Sequence, residues 1–163
     1  MTTSEPTVRL RPMTSGEYPS FVADSKAGYA HDIEVHGGQT RDAALVKAEA
    51  DFAAILPLGL ETPGHAIFVV EADGAAVGRL WLAERQIGGR QSVFIYDISI
   101  DPERQGRGYG RAAMGLAEEE ARRRGMGRIE LNVFGGNEVA RGLYRSLGYV
   151  ETSVQMAKTL DAN

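Results

Sequence analysis

Residues 92–113 read SVFIYDISIDPERQGRGYGRAA. The apolar run to Ile100 is strand material, Asp101-Pro102 stops it, and a basic turn leads into the opening of a helix. From Gln105 to Gly110 the turn reads Gln-Gly-Arg-Gly-Tyr-Gly. Glycine accepts positive φ and removes the Cβ atoms that would block close approach. Successive N–H groups can then converge at the positive end of a helix dipole, with Arg104, Arg107 and Arg111 adding full charges around them. A diphosphate is the guest such a turn suits.

The rest of the chain reads as scaffold for that turn. At 163 residues, with 43% hydrophobic and 25% charged residues, it fits one domain spanning 1–163. No apolar run approaches the roughly 20 residues of a membrane helix, and the first residues lack a signal-peptide core. The expectation is a cytoplasmic protein. There is no cysteine, hence no disulfide framework, thiolate nucleophile or cysteine zinc site. A net charge of −4 gives no support to whole-surface affinity for nucleic acid. Arg122–Arg124 sit three and four residues from Glu118–Glu120 and read as a solvated helix end rather than a nucleic-acid patch.

Taken in order, residues 8–11 alternate and form a first strand. A helix over 17–29 follows, with Ser15 as its cap, then a polar loop over 31–39. Thr40 caps a second helix whose Leu45, Ala48, Phe52 and Ile55 share a face. Three strands over 66–71, 76–84 and 93–100 make an antiparallel meander, turned at Asp73-Gly74 and Gly88-Gly89. A helix over 110–124 ends at Gly125. A strand over 128–134, a helix over 137–147 and a final strand or pair of strands over 149–160 complete the chain. The expected fold is α/β: a mixed, mostly antiparallel sheet of six to seven strands with helices on both faces.

Several guests compete for the turn. A P-loop would need GxxxxGK[ST], which the chain lacks. A dinucleotide fingerprint is closer: residues 108–113 fit GxGxxA, and Glu130 stands where a ribose-binding acid belongs. That fingerprint follows its strand at once, however, whereas residues 101–107 intervene here, and the chain ends before further βαβ units. A ligand-free surface turn fits poorly with three glycines framed by three arginines.

The pattern Gln-x-x-Gly-x-Gly, after a strand ending Ile-Asp-Pro and opening a helix, resembles the acyl-CoA pyrophosphate loop of the GNAT N-acetyltransferase superfamily. Residues 131–137 (LNVFGGN), with Ala140, Leu143-Tyr144 and Leu147-Gly148-Tyr149, resemble its second cofactor motif. The likeness is dense over residues 93–150 and looser before them. It implies that strands 93–100 and 128–134 splay apart with a pantetheine arm between them. The arm would pair with backbone at Ile98, Ser99 and Ile100, as an added strand does. The pyrophosphate would rest on Gln105, Gly106, Arg107, Gly108, Tyr109 and Gly110, with Arg111 beside it. The implied co-substrate is acetyl-CoA, with no metal, and the implied acceptor is an amine, small-molecule or peptide. Dimerisation is common in that family. A non-catalytic acyl-CoA-binding module is the alternative on the same fold, with a dinucleotide oxidoreductase behind it.

Three residues bear on chemistry. Asn137 and Tyr144, seven apart on a helix, share a face with small Ala140 between them. The resemblance makes Asn137 a cofactor hydrogen bonder and Tyr144 the acid that protonates the departing thiolate. By spacing alone, Asn137 is equally a helix cap and Tyr144 a half-buried core aromatic. Asp97, a carboxylate among apolar strand residues, is the candidate base that deprotonates the amine. The residue matching a Glu that serves as base in some family members is Asn132, which cannot take a proton, so Glu130 and Glu34 stand as weaker candidates. His31, His36 and His65, with Asp32 and Glu34, are too scattered for a metal site. Asp24, Asp32 and Glu34 would suit a cationic acceptor.

Overall fold

The computed structural model describes residues 5–161. The elements run β1 (Val8–Pro12), α1 (Tyr18–Val35), α2 (Arg41–Ile55), β2 (His65–Ala72), β3 (Ala75–Ile87), β4 (Arg90–Ile100), α3 (Tyr109–Arg123), β5 (Ile129–Leu131) and α4 (Glu138–Ser146), with single 3-10 turns at Gly59–Glu61 and Pro102–Arg104. The sheet order is β1-β2-β3-β4-β5. Every pair is antiparallel except β4–β5, which is parallel. Two-residue turns at Asp73-Gly74 and Gly88-Gly89 close the meander as expected.

Among the described residues the sheet has five strands, not the six to seven anticipated. The missing ones are those expected over 149–160. That segment keeps its alternation, but it carries no regular structure, and residues 150–161 are exposed. Val154 and Met156 are 67% and 89% exposed. A strand persists only where its backbone finds a ladder and its apolar face is buried, and here neither condition is met.

The sheet divides the core in two. Leu80, Leu82, Val93, Ile95 and Val70 pack against Tyr109, Ala113, Met114 and Ala117 of α3, with Tyr144 of α4 and Leu147 just past it alongside. On the other face Trp81 and Ile67 meet Phe21 of α1 and Phe52 of α2. Helices therefore cover both faces.

Two expectations about the N-terminal helices are corrected by packing. Helix α1 does not stop near Tyr29; it runs on to Val35 because Ala30 and Ile33 are buried against Ala44 and Ala48 of α2. The polar loop over 31–39 is therefore half helix. On α2 the buried stripe is Ala44, Ala48 and Phe52, spaced by four, and Leu45 is 48% exposed.

A bulge breaks the β3–β4 register: Trp81 faces Asp97 while Leu82 faces Ile95, leaving Tyr96 as the extra residue. Tyr96 and Asp97 consequently address the same face. Tyr96 stacks on Trp81 with ring centroids 4.7 Å apart, and Asp97 meets α1. Beyond the bulge β4 presses on Gly78, where a Cβ would collide with the Ser99 carbonyl oxygen and lie 2.9 Å from Ile100 Cδ1. Gly78→Ala should therefore cost about 1–3 kcal/mol, a typical overpacking penalty. Urea denaturation of the variant measures it, and an unchanged midpoint would contradict this tight approach of β3 to β4.

Candidate active site

The parallel ladder between β4 and β5 covers only Val93–Ile95 against Ile129–Leu131. β4 then continues five residues further, to Ile100, with β3 on one side only. Among the described residues the edge of β4 over Tyr96–Ile100 thus lacks a neighbouring strand, and Ile98, Ser99 and Ile100 lie on it. β5 is shorter than the 128–134 expected, so the fork opens early.

The glycine turn follows at once. Gly106 and Gly108 adopt φ of 77° and 82°, and a Cβ at either would meet nothing within 4 Å. The left-handed backbone, rather than crowding, calls for glycine there. Gly108 is the N-cap of α3 and no side chain caps the helix. The first helical bond runs from Ala112 N–H to Gly108 O, so the N–H groups of Gly108, Tyr109, Gly110 and Arg111 have no acceptor within α3. Arg107 is exposed at the tip. Two of the named residues use their side chains within the protein. Gln105 donates its side-chain amide to Ile100 O at 2.9 Å and its backbone N–H to Pro102 O. The Tyr109 side chain is buried in the core, leaving only its backbone on the turn. Arg111 donates to Ser146 Oγ at 2.8 Å, tying α3 to α4 beside the turn.

On the other side of the fork, Asp97 is fully engaged through one oxygen. Its Oδ2 accepts from Ser25 Oγ at 2.5 Å and from Arg79 Nε at 2.7 Å. The ion pair is four-fifths buried on both sides. Neither Ser25 nor Arg79 was singled out in the sequence, although both fall on faces that the periodicities define. Asp97 thus has a structural employment, fixing α1 to β4.

Helix α4 begins at Asn137, whose Oδ1 accepts from Ala140 N–H at 3.2 Å, so the capping reading of Asn137 holds. Tyr144, two turns on, packs half-buried beside Tyr149, ring centroids 5.9 Å apart. Burial, then the negative charges of Asp97 and Asp32, push its phenol above the ordinary value of 10. The group is therefore protonated, hence able to donate, throughout the neutral range. Burial likewise raises Asp32, with Asp97 adding to the shift and His36 and His31 opposing it.

The remaining candidates have partners or positions of their own. Glu130 accepts from Arg128 Nε and Ser92 Oγ, both at 2.7 Å, and Arg128 first, then Ser92, lower its carboxyl. Glu34 is exposed. His65 opens β2, accepts Trp81 Nε1–H at 2.9 Å and stacks on Tyr96; burial depresses it. Among the described residues no group of His, Asp or Glu could hold a metal, and no helix is long and apolar enough to cross a membrane.

The profile of the Acetyltransferase (GNAT) family matches residues 25–149. YycN of Bacillus subtilis, described as an uncharacterized N-acetyltransferase, is 32% identical, covering 94% of this chain and 99% of its own. YdgE of the same organism, described likewise, is 30% identical over 93% and 97%. The crystal structure of YycN superposes with a TM-score of 0.90, over 96% of this chain and all of that one. The aminoglycoside N-acetyltransferase AAC(6')-Iy, solved with CoA, shares the fold at a TM-score of 0.60 and 18% identity, over 99% of this chain and 100% of its own.

The raised phenols set an alkaline limit. The Tyr149 hydroxyl is also pushed up by burial, with Glu118 and Tyr144 contributing. Folded values above unfolded ones mean that this stability is complete below about pH 10 and is lost as pH rises through the folded values. Denaturation midpoints should thus fall from about pH 10 upward, and fall less steeply in Tyr149→Phe. Parallel profiles for the two proteins would remove Tyr149 as a contributor.

Proposed function

The chain belongs to the acetyltransferase (GNAT) family, and we propose that it transfers the acetyl group of acetyl-CoA to a primary amine by direct attack. The observation that carries this reading is the fork: β4 outruns its ladder with β5 by five residues and leads straight into an uncapped, glycine-started helix. An extended amide-bearing arm fits the first feature as an added strand. A diphosphate fits the second, held by amides and the helix dipole. Acyl-CoA has both parts, joined in that order.

In this reading Ile98, Ser99 and Ile100 receive the arm. The pyrophosphate rests on the turn from Gly106 to Gly110, with Gln105 bracing it from within and Arg107 and Arg111 nearby. Asn137 and Ala140 bound the thioester side of the site. A backbone N–H of the free β4 edge stabilises the oxyanion as the amine attacks the carbonyl. The C–N bond forms, the C–S bond breaks, and Tyr144 protonates the thiolate. No cysteine exists to carry an acyl intermediate. The acceptor is a small-molecule or peptide amine.

Two outcomes test this. Calorimetry should detect acetyl-CoA binding, and Gly108→Glu should abolish it by adding backbone strain and a negative charge at the phosphate seat. A parent that binds no acetyl-CoA sinks the proposal. Thiol release should be measured with spermidine, an aminoglycoside, a peptide with a free amino terminus and a lysine peptide. With the best of these, Tyr144→Phe should lower kcat by about 10²-fold or more, the usual scale of a lost general acid, at unchanged acetyl-CoA affinity. Equal kcat values would remove Tyr144 from that role, and silence with every amine would favour a non-catalytic acyl-CoA-binding module.

A further inference from the structure

Helix α1 crosses the fork as a beam fixed at two points. Near its middle, Ser25 is bonded to Asp97 on β4. Just past its end, His36 stacks on Phe134 at 6.2 Å and approaches Gly136, where a Cβ would lie 3.1 Å from His36 Nδ1. Phe134 and Gly136 belong to the connection from β5 to α4. One attachment is thus on the β4 side and the other on the β5–α4 side. Ser25, Asp32 and His36 are seven and four residues apart, within about 40° of one stripe on an α-helix. Asp32 therefore hangs on the underside of the beam, over the opening between the attachments.

The surroundings of Asp32 agree with that position. Its charge is felt by Tyr144 on α4, and it feels Asp97 on β4, His31 on its own helix and His36 just past that helix. Arg79 on β3 is committed to Asp97. Unlike Asp97, the Asp32 carboxylate has no hydrogen bond or ion pair among the described residues, and it is only half exposed. A half-buried carboxylate without a partner is costly to keep. It faces the space across from Tyr144, the side from which an acceptor must reach a thioester lying in the fork.

We propose that Asp32 is the residue that receives the acceptor's ammonium group and takes its proton, so that the acceptor class is a cationic primary amine. This rests on the acetyltransferase reading. The acceptor arrives as R–NH3⁺, and Asp32 accepts one proton to leave R–NH2. The amine nitrogen attacks the carbonyl carbon and the C–S bond breaks. Tyr144 gives its proton to the sulfur and recovers one from the new amide nitrogen. The proton on Asp32 leaves to solvent. The products are N-acetylamine, CoA thiol and one proton.

The test compares the parent with Asp32→Asn, using acetyl-CoA and the most active of the four amines named above. Acetyl-CoA affinity by calorimetry should be unchanged, which also controls for folding. If Asn disrupts the helix, Asp32→Ser replaces it. At neutral pH kcat/KM should fall by about 10²-fold or more. The acidic limb of the parent's pH profile should give way, in the variant, to a rise that follows deprotonation of the acceptor's own ammonium group. The deficit should shrink toward about pH 10, where the acceptor arrives already neutral. A variant within twofold of the parent at neutral pH, or a deficit constant across pH, overturns the assignment while leaving the acetyltransferase reading intact. A parent that binds no acetyl-CoA, or that turns over none of the amines, overturns both.

Discussion

A strand cannot leave a ladder without leaving backbone groups behind. β4 does so after Ile95, and most of the molecule's particular features answer that departure. The bulge at Tyr96 turns two successive side chains onto one face, so that an aromatic stack and an ion pair hold the strand where no neighbour does. Gly78 lets β3 come close enough to keep the other edge paired out to Ile100. Gln105 folds back to cap the Ile100 carbonyl. Each device supports the free length of β4 from a different direction.

The two cores divide the labour. The face under α3 is mainly aliphatic, with Phe68 and Tyr109 among its buried residues, and it fixes the helix whose N-terminus forms the turn. The face under α1 and α2 is aromatic and carries the polar tie among Ser25, Asp97 and Arg79. Replacing one member of a buried ion pair leaves an uncompensated charge, a larger loss than the pair's own net contribution. The tie is thus better understood as fixing where α1 crosses the sheet than as a source of stability.

Much of this was legible in the chain. Glycines at fixed spacing, hairpin dipeptides and alternating strands name their own backbone conformations, and the meander, α3 and α4 lie within a few residues of where they were expected. What failed depended on distant partners. Helix α1 looked finished at Tyr29 because residues 31–39 are polar, and only burial of Ile33 against α2 carries it further. The same extension puts Asp32 on a stripe with Ser25, which a loop could not have done. The pairing of Asp97 with Arg79, eighteen residues away, is likewise invisible to local pattern. The C-terminal residues alternate like a strand, but alternation specifies a face and not a neighbour.

The turn at residues 105–110 also constrains how this sequence can drift. Around Gly106 and Gly108 there is open space, so no neighbour could make room by a compensating change. The objection to a side chain is intrinsic to the left-handed backbone, about 1–2 kcal/mol at each position for an L-residue. Every missense change of a glycine codon adds a Cβ. Arg107, between them and exposed, is under no such restriction. Divergence through this turn should therefore follow a fixed–free–fixed rhythm, in which what is inherited is a pair of torsion angles rather than a set of functional groups.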